Sequence, residues 1–211
     1  MIIYGSRFRD VLFGTSEDDT IYGYDGNDDL LGGNGDDHLF GGIGADVING
    51  GAGRDWACYD DAAEGVYVVL ITGAGYAGEA AGDVLIEIEN LSGSAFADVL
   101  IGDLGINYID GNGGDDLIFG LDGIDVLHGG AGSDQIWGGV DRDYIYGDDG
   151  FDYVRYDYAE SRVDVRLDEV SFIGTGGGFA GEAAYDSFFS IEGVVGSKFD
   201  DHLAGTRKRT S

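Results

Sequence analysis

The chain of 211 residues has no proline, one cysteine, one methionine and three histidines, and only 11 basic residues stand against 41 acidic ones. The single cysteine, Cys58, permits no internal disulfide, and we place it at an outward strand position without a reactive role. The formal net charge of −30 excludes a nucleic-acid-binding protein, because phosphates would be repelled. No apolar run approaches the length of a membrane span, and no signal peptide opens the chain.

Motifs for catalysis are equally scarce. His38, His128 and His202 share no face and no spacing suited to zinc, so we interpret them as solvated surface residues. Residues 73–78 read Gly-x-Gly-x-x-Gly after a strand, as a dinucleotide site would, but Gly82 interrupts the helix that should follow and the surroundings are anionic. The sequence therefore predicts a protein that is not an enzyme.

Glycine is abundant instead, with 41 residues, and its spacing is regular. A nine-residue unit, Gly-x-x-x-x-Asp-x-apolar-x, occurs fourteen times. Its first glycines are Gly5, Gly14, Gly23, Gly32, Gly41, Gly50, Gly93, Gly102, Gly111, Gly120, Gly129, Gly138, Gly147 and Gly196. A fixed period of this kind predicts a stacked solenoid, in which each repeat buries its apolar face only against its neighbours.

An acidic residue follows each of these glycines at a fixed distance, with Asn107 as the one exception. The residues are Asp10, Asp19, Asp28, Asp37, Asp46, Asp55, Asp98, Asp116, Asp125, Asp134, Asp143, Asp152 and Asp201. Six residues rich in Gly, Asp and Asn predict a turn, and the remaining three predict a short strand with one side chain inward. Two units then make one 18-residue turn, so that alternate units stack in parallel.

Stacking places each aspartate beside the one 18 residues later, where unneutralised carboxylates would repel one another. The apolar core is thin, since one side chain per unit contributes about 1.5–3 kcal/mol, whereas ordering the backbone costs about 1–2 kcal/mol per residue. A hard dication that takes about six to eight oxygen ligands supplies the missing stabilisation, and magnesium, with its stricter octahedral geometry, suits the loops less well. We therefore expect calcium, with roughly four ions per block of repeats.

The expected ligands are the aspartates up to Asp152 and the backbone of the glycine-rich turns. Those glycines are Gly23, Gly26, Gly32, Gly33, Gly35, Gly41, Gly42, Gly44, Gly111, Gly114, Gly120, Gly123, Gly129, Gly130 and Gly132. Asn107 offers one neutral oxygen where its neighbours offer a carboxylate, so we expect the Asn107–Asp125 pair of loops to bind calcium most weakly.

Segments such as Gly-Gly-Asn-Gly-Asp-Asp-His-Leu-Phe at residues 32–40 resemble the Gly-Gly-x-Gly-x-Asp-x-U-x nonapeptide of repeats-in-toxin (RTX) calcium-binding proteins. The resemblance covers about two thirds of the chain. It implies an all-β, right-handed parallel β-roll with calcium between loops of successive turns. It also implies a secreted bacterial protein that leaves the cell in one step (type I secretion) without an N-terminal signal peptide. The basic residues 206–211 do not resemble the C-terminal export signal of that family.

The resemblance is imperfect at the fourth position of the unit. Glycine there is replaced by Phe8, Glu17, Phe96, Asp141 and Phe199.

Two longer segments interrupt the repeats and resemble each other, with Gly-Glu-Ala-Ala-Gly-Asp at residues 78–83 and Gly-Glu-Ala-Ala-Tyr-Asp at residues 181–186. We divide the chain into a first β-roll block (1–58), a β connector (59–92), a second block (93–155), a second connector (156–195) and the truncated start of a third block (196–211). The pairs Glu79 with Asp83 and Glu182 with Asp186 are either extra ion sites or polar loops. The pattern is typical of one part of a longer polypeptide.

Ile101, Phe119 and Trp137 should stack as an outward row, which is either a binding surface or covered by a connector. The sequence predicts a calcium-binding module of a secreted protein that folds on meeting extracellular calcium. One alternative is an accessory module of a secreted metalloprotease or alginate epimerase. Another is an adhesin-like spacer, with an acidic polysaccharide or a cell surface as its partner.

Overall fold

Short strands follow the nine-residue period throughout a computed structural model, which describes residues 1–167, 176–177 and 181–204. The strands in the described residues are β1 Ile2–Tyr4, β2 Val11–Phe13, β3 Thr20–Asp25, β4 Asp29–Asn34, β5 His38–Ile43, β6 Val47–Ala52, β7 Trp56–Cys58, β8 Tyr67–Val69, β9 Ala74–Ala77, β10 Val84–Ile86, β11 Asn90–Ser92, β12 Val99–Ile101, β13 Tyr108–Asp110, β14 Leu117–Asp122, β15 Val126–Gly132, β16 Gln135–Val140, β17 Tyr144–Gly150, β18 Tyr153–Arg155, β19 Asp164–Arg166, β20 Gly176–Gly177, β21 Ser187–Phe189, β22 Gly193–Val195 and β23 His202–Ala204. The same described residues contain three 3₁₀ helices, at Leu70–Thr72, Gly78–Ala80 and Gly181–Ala183. The basic segment 206–211 lies outside the described residues.

Strands within a block pair in parallel with a shift of 18 residues. Ile21 lies opposite Leu39, and Leu30 lies opposite Ile48. Two units therefore complete one turn of a coil, as the spacing predicts. The predicted all-β parallel β-roll is confirmed.

Strands in the middle of each block are longer than the three residues predicted. In β3 and β5 the pairing continues past the apolar residues, with Tyr24 opposite Gly42 and Asp25 opposite Ile43. The reason is that successive turns repeat the same backbone path, so the first residues of stacked loops also form ladder hydrogen bonds. Units at the start of a block, such as those of β2 and β12, keep the three-residue strand.

Alternate units contribute to two opposing sheets. One sheet has the order β1-β3-β5-β7-β11-β13-β15-β17-β21-β20, and the other has the order β2-β4-β6-β10-β9-β8-β12-β14-β16-β18-β22. The first connector inserts β8, β9 and β10 into the second of these sheets, with antiparallel pairing on both sides of β9. The second connector instead adds β20 and β21 to the first sheet. Both blocks are therefore turns of one continuous coil.

The core of the roll is a single column of aliphatic side chains. Each belongs to the second residue of its strand, and those of Ile21, Leu30, Leu127 and Ile136 are completely buried. The connectors add a denser apolar core around Tyr59 and Tyr156, which are both 2% exposed. The turns of the roll thus have little apolar burial of their own, whereas the connectors have much more.

Two surface predictions have different outcomes. Cys58 follows the inward-facing Ala57 in β7, beside Ser92 of β11, but it is buried rather than exposed, and burial raises the pKa of its thiol. The row of Ile101, Phe119 and Trp137 forms as predicted, with stacked rings 4.2 Å apart for Phe119 and Trp137. The start of the second connector covers its end, because Trp137 Nε1 donates to Asp157 Oδ1 at 2.9 Å.

Candidate metal centre

Nine of the repeated aspartates lie buried in the turns, where each uses one carboxylate oxygen in the same way. The backbone N–H of Asp19 donates to Asp37 Oδ1 at 2.8 Å, and that of Asp116 donates to Asp134 Oδ1 at 2.9 Å. The same bond reaches across 18 residues to the Oδ1 atoms of Asp28, Asp37, Asp46, Asp55, Asp116, Asp125, Asp134, Asp143 and Asp152. Each of these carboxylates therefore joins its own turn to the preceding one.

The second oxygen of these nine carboxylates has no hydrogen-bond partner although it is buried. A buried polar atom without a partner costs about 1–3 kcal/mol, and more when it is charged. Nine such atoms at one repeated position are too many for a stable protein unless something else binds them. These oxygens, Asp Oδ2 in every case, are the central feature of the site.

The first glycine of each unit makes room for that oxygen. A Cβ atom on Gly32 would overlap Asp37 Oδ2, and one on Gly111 would overlap Asp116 Oδ2. In the unit that begins at Gly32, the second and fourth residues have left-handed backbone, with φ of 114° at Gly33 and 106° at Gly35. Glycine adopts this conformation without strain. In the Gly-Gly-x-Gly spacing, the first glycine thus leaves space for the carboxylate, and the second and third glycines adopt the left-handed backbone.

Left-handed backbone persists at some of the positions where glycine is replaced. Tyr24 and Leu121 at the second position have φ of 75° and 83°, and Asp141 at the fourth position has φ of 81°. The loop path is therefore maintained in these three units. The units with Phe8, Glu17, Phe96 or Phe199 at the fourth position lack the left-handed backbone there. We infer that it is the stacking of neighbouring turns that holds these residues in the strained conformation.

Burial gives these carboxylates unusual acidities. Desolvation raises the pKa of Asp116 and of Asp143 to about 8, and neighbouring carboxylates add to the effect. The pKa of Asp125 is raised to about 7, and those of Asp46 and Asp55 to about 6, again mainly by desolvation. No cationic side chain lowers the pKa of any of these five carboxyl groups. Their charge therefore has to be neutralised by protons or by a bound cation.

The donor set is suited to a hard cation. Among the described residues, no three histidine, cysteine or carboxylate side chains form a metal cluster. Backbone carbonyls approach closely instead, since a Cβ on Gly33 would overlap the carbonyl oxygen of Thr15 and one on Gly132 that of Gly114. One unpartnered carboxylate oxygen among backbone carbonyls is the kind of all-oxygen environment that calcium prefers. The residues present fit calcium.

Three predicted ligands are placed differently from the nine. Asp10, Asp19 and Asp98 belong to the first units of a block, and each accepts hydrogen bonds from its own loop. Asn107 also differs, because its Nδ2 donates to the carbonyl oxygen of Glu89 at 2.8 Å and its Oδ1 accepts the N–H of Asp103. The Asn107–Asp125 gap therefore has only one carboxylate from the repeated position, Asp125, and the weakness of this pair stays a prediction.

The sequence alone did not identify four carboxylates that continue the ladder into the connectors. Asp83 Oδ1 accepts the N–H of Asp46 at 2.8 Å, and Asp186 Oδ1 accepts that of Asp143 at 3.0 Å. Glu89 and Glu192 accept the N–H groups of Asp55 and Asp152. Their separations from these partners are 37, 43, 34 and 40 residues, so the 18-residue period gave no sign of them. The similarity of the two connectors was the available signal.

The paired acids of the connectors do not form a joint ion site. Glu79 Oε1 accepts the N–H of Ala63, and Glu182 Oε1 accepts that of Glu160, whereas Asp83 and Asp186 are buried and face the ladder. The segment 73–78 is followed by a three-residue 3₁₀ helix rather than a long helix. Its resemblance to a dinucleotide motif therefore has no structural counterpart.

Comparison with known families agrees with this geometry. The model of the RTX calcium-binding nonapeptide repeat matches the chain in four copies, at residues 4–39, 24–57, 92–127 and 119–154, which together cover more than half of it. A search of the curated proteins finds no match. Within the described residues, no helix is long and apolar enough to cross a membrane.

Proposed function

Because the chain belongs to the RTX calcium-binding nonapeptide repeat family, we propose that it is a structural module of a secreted bacterial protein, which folds when it meets extracellular calcium. The nine buried, unpartnered Oδ2 atoms are the observation that carries this proposal. Without a cation each destabilises the roll, and with one each becomes a ligand. Calcium binding and folding are then one process.

We assign one calcium site to each gap between stacked loops that contains such an oxygen. Asp28 Oδ1 accepts the N–H of Asp10 in the preceding turn, so we assign Asp28 to the gap between the loops of Asp10 and Asp28. On this assignment the first block has four sites and the second has five, of which the Asn107–Asp125 site is the weakest. Carbonyls of the glycine-rich turns, such as those around Gly33, Gly35, Gly42 and Gly130, complete the coordination.

The concentration of calcium outside cells suits such a switch. Extracellular calcium modules bind with Kd of about 10⁻⁴–10⁻³ M. At ten times Kd each site adds about 1.4 kcal/mol, so four sites together match the stability of a small domain. Cytosolic calcium is far below this range, and the nonapeptide blocks then stay unfolded, in a form compatible with export.

Calcium titration tests the proposal directly. We expect far-UV circular dichroism to show little β-structure in the blocks with chelator and a cooperative gain at millimolar calcium, with magnesium much less effective. Asp37→Asn should weaken the response, whereas Asp25→Asn, which removes an equal charge from an exposed residue, should not. A spectrum that is identical with chelator and with calcium would contradict the proposal.

We also propose that the chain has no catalytic activity of its own. The nine carboxylates with unpartnered oxygens are committed to the ladder, and the aromatic rings of His128, Tyr146 and Phe189 stack on one another with centroids 4.3 Å apart. Rings stacked this way cover each other's faces, which favours a structural role over saccharide binding. Assays for protease, lipase and polysaccharide cleavage with calcium present should show no turnover. Turnover that His128→Ala abolishes would contradict this.

A further inference from the structure

Two carboxylates at the ends of the ladders have the partner that the nine others lack. Tyr59 Oη donates to Asp83 Oδ2 at 3.0 Å, and Tyr156 Oη donates to Asp186 Oδ2 at 2.6 Å. All four side chains are buried, with at most 2% of each exposed. Since Oδ1 of both aspartates makes the same bond to the preceding turn as in the loops, the phenol stands where the repeated sites require a cation.

The other end of each connector is also satisfied by protein groups. The N–H of Val66 donates to Asp98 Oδ1 at 2.7 Å, and the N–H and Oγ of Ser94 donate to the same carboxylate at 2.6 and 2.8 Å. The second connector repeats this with Val163 and Ser197, which donate to Asp201 Oδ1 at 2.9 and 2.7 Å. A connector thus begins and ends on carboxylates that need no cation.

The connectors also have the apolar core that the turns lack. Ten residues between Tyr59 and Leu91 are buried hydrophobics, which is about one in three, compared with one in nine in the repeats. Strands β8, β9 and β10 pair in antiparallel fashion inside this segment, so their hydrogen bonds are local. Local pairing and a dense core favour folding of the connector by itself.

We propose that, in each block, the ladder that reaches the connector aspartate ends on the tyrosine–aspartate pair, and that the described part of the connector with this pair is ordered in the absence of calcium, so that the repeats stack on it when calcium arrives. The Asp46–Asp83 and Asp143–Asp186 gaps take no calcium. This rests on the proposed function, because it specifies which gaps of a calcium-binding roll are closed by protein groups alone.

Hydrogen exchange of the whole chain in chelator tests the proposal. We expect amides of β8 and β10 to exchange at least ~10-fold more slowly than those of β4 in the first block. Tyr59→Phe should abolish this protection in the first connector, while residues 156–167 of the same molecule keep theirs. Tyr156→Phe should have the converse effect. Tyr67→Phe is the matched control, because Tyr67 is 37% exposed, and it should change nothing.

The same experiment at saturating calcium separates this proposal from the proposed function. Protection of β4 that rises with calcium supports the calcium-folded roll, whatever the connectors do. Exchange of β8 and β10 in chelated wild type as fast as that of β4 would overturn the present proposal alone, as would unchanged protection in Tyr59→Phe. Anomalous diffraction from calcium-grown crystals gives a second test, since an ion between Asp46 and Asp83 would also overturn it.

Discussion

At the scale of single residues, the first glycine of the unit and the aspartate five residues later act as a pair. The carboxylate occupies the space that a side chain on this glycine would take, as at Gly111 and Asp116. Gly113, two residues further on, is different, because the nearest atom to a Cβ there would be 3.6 Å away and its φ is not left-handed. Two glycines of one loop thus have unequal importance.

We therefore expect Gly111→Ala to destabilise the calcium-bound chain by about 1–3 kcal/mol, since the methyl group displaces a ligand carboxylate. Gly113→Ala should be close to neutral. Thermal unfolding at saturating calcium measures both. Equal shifts in Tm for the two variants would show that the carboxylate does not hold the position described above.

The second prediction concerns the ligands themselves. Asp116→Ala should remove one calcium site and weaken the adjacent one, because the N–H of Asp116 is bonded to Asp134 and its Oδ1 to the N–H of Asp98. Asn107→Ala should cost much less calcium affinity, since Asn107 is already occupied by Glu89 and Asp103. Calorimetric titration compares them, and a loss of about tenfold, or 1.4 kcal/mol, is expected for Asp116→Ala. Equal losses would contradict the prediction that the gap in which Asn107 replaces the repeated carboxylate binds calcium most weakly.

At the scale of elements, the sequence predicted the turns well and the connectors poorly. Period and residue type were enough for the 18-residue register of Ile21 with Leu39, because each turn contacts only its neighbours. The bond from Tyr59 to Asp83 and the burial of Cys58 depend on how β8, β9 and β10 fold back, and no period encodes that path. The role of Asp10, Asp19 and Asp98 likewise depended on loop hydrogen bonds that only the structure contains.

Lowering the pH should stabilise the calcium-free roll but weaken calcium binding. Burial raises the pKa of Asp116 and Asp143 to about 8, so in chelator their protonated forms stabilise the roll at acidic pH, and this stability is lost as the pH rises through about 8. With calcium the ionised forms are ligands, so affinity should fall as the pH is lowered.

Circular dichroism at pH 5 and pH 8 tests the first statement, and calorimetry in buffers of different ionisation enthalpy tests the second. Release of protons on calcium binding is expected at acidic pH, where the calcium-free roll is protonated, and little release is expected near pH 7, where the aspartates of the unfolded blocks are already ionised. The second block should lose affinity at higher pH than the first, because the pKa values of Asp46 and Asp55 are raised only to about 6. Calcium affinity that does not change between pH 5 and pH 8 would contradict the prediction.

At the scale of the whole molecule, a formal charge of −30 keeps the calcium-free chain expanded. Sodium chloride at about 1 M shortens the screening length to about 3 Å, which weakens this repulsion without supplying a ligand to the buried oxygens. We expect salt with chelator to reduce the radius of gyration only in part and to leave the blocks without β-structure. Calcium at millimolar concentration should both compact the chain fully and induce β-structure in the blocks. Small-angle scattering with circular dichroism separates the two effects, and full folding by salt alone would contradict a specific calcium requirement.

The membership of each connector in a sheet has a geometric consequence. The first block has six units and the second has seven, so β7 lies in one sheet and β18, its counterpart, lies in the other. Whether a block has an even or an odd number of units therefore decides on which side of the roll the following connector lies. Gain or loss of one nonapeptide would swing the next connector to the opposite side of the roll, whereas gain or loss of two would only change the length. Evolution by slippage of an 18-residue segment can lengthen this molecule without rotating what it displays.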